Sequence, residues 1–361
     1  TPGQWYVHLF DSSQPDLNWE NPKVQEAFED ILRFWLDRGV DGFRVDQPHA
    51  MGKAPGLPDH PDIERAGAGF IEGEASPPMW FQESVHPIFR KWRSILDSYP
   101  GDRAMCGEAY VLPLSFMALW VRPDEFNQTF NFRFLDSEWK PEILLASINE
   151  SFEAFDGVGA PSTWVLSNHD IIRHATRFGL PNGTDHGRWY KDNRFDPKVN
   201  VEQGLKRANA MTALLLALPG STYLYQGEEL GLFEVADLPG QVLQDPIWLR
   251  DGMTRKGRDG CRVPLPWEKT GPSFGFGTGS AHLPQPTWFA GHSVEFEEAQ
   301  EDSTLKLYRA ALKLRKELLT DETLEFVDSK RKVVHFVRPN GWHNITNFGK
   351  KPVALPAGTV R

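Results

Sequence analysis

Three acidic residues stand at the ends of short apolar runs: Asp46 in "GFRVD", Glu108 in "RAMCGEAY" and Asp170 in "STWVLSNHD". Each alone reads as a strand-end or helix-capping acid. Together, with Arg44 two before Asp46 and His169 beside Asp170, they form a set that could cleave a glycosidic bond. That reaction needs one carboxylate as nucleophile and one carboxylic acid to protonate the leaving oxygen. A third acid and nearby cations can bind sugar hydroxyls and sharpen both carboxyl pKa values. Arg44 and Asp46 share a strand face, because side chains two apart point the same way. Both charges would be very costly in a core, so that face is expected to be wet.

The elements that must position these residues alternate in type. "ENPKVQEAFEDILRFWLDRG" has Asn21 as cap, Pro22 in the first turn, apolar residues at helical spacing and Gly39 as terminator, and the strand "GFRVD" follows it. After an irregular Pro/Gly-rich passage over 52–80, a helix near 83–98 leads to "RAMCGEAY". Further strands are expected at "FNFRF" (130–134), "STWVLSNHD" and "STYLYQGEE", with helices near 140–155, 202–217 and 303–319. The last forty residues read as short strands and turns. Helix alternating with buried strand implies parallel β/α architecture. Asp46, Glu108, Asp170 and Glu228 recur where strands end, which is where β/α barrels carry their chemistry.

Composition narrows the field. The chain has 361 residues, 40% of them hydrophobic, enough for a large core. A net charge of −10 argues against nucleic acid and against a polybasic membrane face. No apolar run approaches the roughly 20 residues of a spanning helix, and "MTALLLALPG" reads as a buried helix end. Two cysteines, Cys106 and Cys261, make no disulfide framework and fit a reducing compartment, so a cytoplasmic location is expected. No Cys/His cluster has zinc spacing, so no metal is expected among these residues, and His8 and His49 read as satisfied structural histidines. "GFGTGS" lacks a following Lys-Ser/Thr and is not a phosphate loop. Aromatics, at 12%, serve core packing and, as a group, suit a cleft where sugar faces stack on rings.

Taken in order, "GFRVD", "GEAY" and "SNHD" resemble the strand-4, strand-5 and strand-7 signatures of the α-amylase family of glycoside hydrolases. "QPDLN" (14–18) resembles the domain-B signature of the oligo-1,6-glucosidase and α-glucosidase subgroup, "YLYQGEELG" (223–231) the strand-8 signature, and "RDGCRVPLPW" (258–267) the "RTPMQW" loop. The resemblance implies an α/β fold: a partial (β/α)8 TIM barrel, strands 4–8 with their helices, followed by an incomplete C-terminal antiparallel β-domain. The end of domain B would occupy 1–20, the partial barrel 21–320 and the β-domain 321–361. It implies Asp46 as nucleophile, Glu108 as general acid/base and Asp170 as stabiliser of the distorted sugar. Arg44 would orient Asp46 by charge-assisted hydrogen bonds. His169 would donate to sugar hydroxyls, and Arg262 would serve the non-reducing-end pocket. Glu228 and Glu229 would shape the rim without catalytic work. No cofactor is implied, and the first-loop calcium site of some members has no counterpart. Small α-glucosides are the implied partners, hydrolysed with retention; glucosyl isomerases, transglucosylases and non-catalytic homologues share the pattern.

Two departures stand out. The strand-3 motif that supplies an Asp and a His to the family's sugar pocket is absent, as are the strands before domain B. A five-stranded parallel fragment with an unpaired edge is expected to fold poorly alone and to turn over little. The subgroup usually has Val or Thr after the nucleophile, a choice that tracks linkage preference, and often Ala next. Here Gln47 and Pro48 occupy those places. Gln47 adds a donor and an acceptor near the leaving-group side, which leaves α-1,4 against α-1,6 preference open.

Overall fold

The computed structural model describes residues 3–60, 77–191, 196–318, 321–329 and 331–358. Part of the irregular 52–80 passage, residues 61–76, lies outside the described residues. Contacts divide the chain into two compact units, 1–132 with 149–163 and 133–148 with 164–361.

In the first unit, helix α1 (Pro22–Leu36) starts as its sequence demands. Asn21 Oδ1 accepts the Lys23 N–H at 3.0 Å and Pro22 fills the first turn, where no N–H is missed. Gly39 ends the segment at φ 88°, a left-handed conformation that costs glycine little. Strand β1 (Gly42–Asp46) follows and pairs in parallel with β2 (Ala104–Glu108), in register from Gly42↔Ala104 to Asp46↔Glu108. A Cβ at position 42 would collide with the Ala104 carbonyl, so this close approach of strands requires glycine. Helix α2 (His86–Asp97) connects them. Phe43, Val45 and Met105 point to a core with Leu32, Leu36, Phe89, Trp92 and Leu96. The alternating positions, Arg44, Asp46, Cys106 and Glu108, therefore occupy the opposite face.

The "FNFRF" run is not the expected strand. Only Gln128–Thr129 pairs, as β3, in parallel with β2, and Phe132–Leu135 is a helical turn. Period-2 alternation loses there to tertiary contacts: fully buried Asn131 donates from Nδ2 to Ser151 Oγ at 2.7 Å, and Phe134 packs edge-on to Trp164. The described strands do not close into one sheet, and the partial-barrel expectation is not confirmed by them. They form β1-β2-β3, a pair of β4 (Thr163–Val165) with β5 (Ser221–Tyr223), and a third sheet near the C-terminus. β1 has a paired neighbour on one side only, and β4 and β5 span three residues each.

In the second unit, the helix Val201–Ala217 is capped by Asn200, whose side chain accepts the Gln203 N–H at 3.0 Å. Its end, with Leu214, Leu215 and Leu216 buried, is the "MTALLLALPG" stretch. The C-terminal sheet is antiparallel, β6 (Glu325–Phe326), β7 (Val333–Val337) and β8 (His343–Asn347), in that order. No helix among the described residues is long and apolar enough to cross a membrane. Glu228 lies deeper than a rim position would. It is 4% exposed, accepts the Tyr308 hydroxyl at 3.1 Å through Oε1, and has no hydrogen bond on Oε2 among the described residues. Burial pushes its carboxyl up to about 8.

A raised folded-state pKa means the folded protein binds this proton more tightly than the unfolded chain. The stability it confers is complete below the unfolded carboxyl value of about 4.3 and is lost as pH rises through about 8. Chemical denaturation at pH 6 and pH 9 is therefore expected to show lower stability at pH 9. Glu228→Gln, neutral and of the same shape, should reduce that difference; an unchanged difference in the variant would assign it elsewhere.

Candidate active site

The first unit brings two of the candidate acids together. Asp46 and Glu108 are register partners on adjacent parallel strands. Such strands lie about 4.8 Å apart. Paired carboxyls of retaining glycosidases stand about 5–5.5 Å apart, against about 6.5–9.5 Å for inverting ones. The guanidinium of Arg44 serves both acids: Nη1 donates to Asp46 Oδ1 at 2.8 Å, and Nη2 lies 3.6 Å from Glu108 Oε2. The environments differ sharply. The Asp46 side chain is 72% exposed, that of Glu108 11%. Burial raises the Glu108 carboxyl above its usual range, against the Gln47 backbone N–H and the charge of Arg44, with Asp46 adding to the rise. An open carboxylate beside a sheltered carboxyl held towards its protonated form is the asymmetry that separates nucleophile from acid.

Past Asp46 the chain turns sharply through Pro48–Ala50. Gln47 adopts φ 46°, ψ 46°, and both its N–H and its Nε2 donate to Glu108 Oε2, at 3.3 and 2.8 Å. His49 is buried and stacked on Trp80 and Phe81, with ring centroids at 5.1 and 5.3 Å. Burial, helped by Lys53, lowers its imidazole to about 4. The expectation of a satisfied histidine is not met: Nδ1 has no hydrogen-bond partner among the described residues. Cys106, opposite Arg44 in register, is buried on the acids' face.

The second unit holds Asp170 in a cationic clamp. Asp170 Oδ1 accepts Arg258 Nη1 at 2.9 Å and Arg262 Nη2 at 2.8 Å, and His169 Nε2 lies 3.5 Å from Oδ2. Arg262 Nε also donates to the His169 carbonyl at 2.8 Å. The short 3-10 turn Asp259–Cys261 sets the two arginines side by side. Arg258 is anchored in turn by buried Asp245, whose Oδ2 accepts its Nε at 2.6 Å and its N–H at 2.9 Å. Burial opposes the Asp245 carboxylate, but the bonds from Arg258 and Ile247 outweigh it and hold the carboxyl below its usual value. The sequence singles out Arg262; nothing marks Arg258 except its place at the head of the same run, four residues before. Asp245 carries no sequence signal. Among the described residues, no group of three or more His, Cys, Asp or Glu side chains could hold a metal.

Comparison with known proteins agrees with the motifs. A family model described as "Alpha amylase, catalytic domain" matches residues 1–322. A probable α-glucosidase of Rhizobium meliloti is 31% identical over 94% of this chain and 60% of its own length. An oligo-1,6-glucosidase of Parageobacillus thermoglucosidasius is 27% identical over 97% of this chain and 64% of its own. The crystal structure of the α-glucosyl transfer enzyme XgtA superposes with a TM-score of 0.76 at 32% identity, covering 98% of this chain and 64% of that one. The chain thus spans about 60% of the length of the curated relatives it matches.

The two arginines on Asp170 should respond differently to truncation. Arg258→Ala leaves the Asp245 carboxylate, only 3% exposed, without its cation, and is expected to cost about 2 kcal/mol of stability. Arg262→Ala frees only Asp170 and a carbonyl, both within reach of water, and should cost under about 1 kcal/mol. Urea unfolding of the two variants checks the order; equal losses would refute the Asp245 anchor.

Proposed function

The chain belongs to the α-amylase catalytic-domain family, a TIM-barrel family, and from that premise we propose that it serves a retaining α-glucosidase acting on the terminal bonds of short α-glucosides. The observation that carries this reading is the pair Asp46 and Glu108, side by side in register with Arg44 between them.

In the proposed mechanism the Asp46 carboxylate attacks the anomeric carbon as the glycosidic C–O bond breaks. The leaving oxygen takes the proton of Glu108, and a β-glucosyl ester forms on Asp46. Glu108, now a carboxylate, removes a proton from water. The water oxygen attacks the anomeric carbon, the ester bond breaks, and glucose leaves with its original configuration while Asp46 returns as carboxylate. We assign Asp170 to the sugar hydroxyls of the distorted ring, with Arg258 and Arg262 keeping its carboxylate in place, and His169 as a hydroxyl donor. This chemistry uses the protein's own carboxyl groups and calls for no cofactor. A second reading, glucosyl transfer to a sugar acceptor in place of water, is favoured by the likeness to XgtA. The products of a maltose or sucrose incubation separate the two.

A fluorinated glucosyl fluoride that forms a slowly hydrolysed ester should label the peptide containing Asp46, read by mass spectrometry. Absence of label on Asp46, with label elsewhere or nowhere, would sink the reading. Glu108→Gln should lower kcat/KM by about 10²–10⁴-fold for glucosides whose leaving group needs a proton. It should affect glucosyl fluoride, whose leaving group departs unprotonated, far less.

A further inference from the structure

The geometry at the end of β1 points to Gln47 as a positioning residue: its side-chain amide and its own backbone N–H together pin Glu108 Oε2 as an acceptor, so that Oε1 carries and delivers the acid's proton. The roles of acid and base rest on the glycosidase reading above; the pinning of Oε2 does not.

Strand geometry makes the contact improbable without a special turn. Side chains alternate along β1, so an extended residue 47 would point away from the face of Arg44, Asp46 and Glu108. Gln47 instead takes a left-handed conformation, φ 46°, ψ 46°, which is costly for a residue with a side chain. Pro48 raises the constraint, since a residue before proline is pushed towards extended backbone. The conformation persists because the next turn is fixed on several sides. Ala50 N–H bonds to the Gln47 carbonyl at 2.9 Å, Phe81 N–H bonds to the His49 carbonyl at 2.9 Å, and Pro48, His49 and Ala50 are all buried. The result is two donors of one residue converging on one oxygen.

The two oxygens of Glu108 are thereby made unequal. Around Oε2 stand Gln47 N–H, Gln47 Nε2–H and, at 3.6 Å, Arg44 Nη2, all donors. A proton placed on Oε2 would face donors with no acceptor to receive it. With the donors gathered on Oε2, the neutral acid's proton is assigned to Oε1. In the cleavage step that proton passes from Oε1 to the leaving oxygen, and the carboxylate left behind is the form that Gln47 stabilises. Among the described residues, the charged groups acting on Glu108 are Arg44 and Asp46, both from β1, and Gln47 acts beside them as a neutral donor. A valine or threonine at this place would lack the amide, so this proton placement is a property of this chain's own residue.

The test reads Glu108 directly and needs no turnover. In wild-type protein labelled at glutamate Cδ and glutamine Nε2, the Gln47 amide signal should titrate with the same midpoint as the Glu108 carboxyl. In Gln47→Met, of similar length without the amide, the Glu108 midpoint should rise by about one pH unit, the size of one hydrogen bond to an ionised group. An amide that ignores the Glu108 titration, or a midpoint unmoved in Gln47→Met, overturns the assignment; the wild-type measurement stands even if the variant does not fold. In turnover, Gln47→Met should lower kcat/KM for alkyl glucosides several-fold more than for glucosyl fluoride. Equal losses on both would overturn the placement of the proton. Coupled titration without an ester on Asp46 would uphold the pinning of Oε2 and remove the glycosidase reading, so the two fail separately.

Discussion

Two carboxyl groups held side by side on one sheet face must be kept different, and the first unit is organised around that constraint. At about 5 Å and an effective dielectric of about 20, two negative charges repel by roughly 3 kcal/mol. Left alone, such a pair shares one proton without choosing its owner. Three features choose. Glu108 is sheltered where Asp46 is open, so desolvation falls on one acid only. Arg44 bonds Asp46 at 2.8 Å and stands further from Glu108, at 3.6 Å. Gln47, neutral, supplies the hydrogen bonds on Glu108 that a second cation would otherwise have to supply. A cation that close would hold Glu108 ionised and useless as an acid. A neutral amide orients the group while burial still favours the proton.

Asp170 is treated in the opposite way. Two guanidinium groups converge on one of its oxygens, and one of them is fixed from behind by a buried carboxylate. That surplus of cation fixes the position and orientation of the carboxylate. Such surroundings suit the role proposed for Asp170, accepting hydrogen bonds from sugar hydroxyls. The carboxyl group thus has two electrostatic settings in one chain, cation-rich at Asp170 and sheltered at Glu108. The difference is made by neighbours, not by the acids themselves.

Much of this arrangement is legible in the sequence. The helix from Pro22 to Leu36 declared itself through Asn21, Pro22 and Gly39, because caps act within one turn of the chain. Arg44 and Asp46 could be placed on one wet face because two charges two apart on a strand leave few alternatives. What stayed hidden depended on contacts distant in sequence. Phe132–Leu135 coils into a helical turn because buried Asn131 finds Ser151, twenty residues on, and no local period encodes that bond. Glu228 looked like a rim residue because a glutamate is rarely buried. Tyr308, eighty residues later, is what makes its burial tolerable. Arg258 went unmarked because its importance comes from Asp245, thirteen residues earlier on a separate loop.

Gln47 joins these two kinds of information. Its residue type is visible as a departure from the subgroup's usual valine or threonine, yet its effect depends on a backbone reversal that the letters do not announce. Local rules are broken three times at this one position: a positive φ on a residue with a side chain, a proline directly after it, and a polar group turned against the alternation of its strand. Violations of local preference survive where surrounding structure over-determines them, and they gather at functional sites. Here the buried turn Pro48–Ala50 provides the over-determination, and the gain is a pair of hydrogen bonds on one oxygen of the acid. The strain and the contact are one feature: relaxing Gln47 to extended backbone would carry its side chain to the other face of β1 and leave Glu108 Oε2 with Arg44 alone.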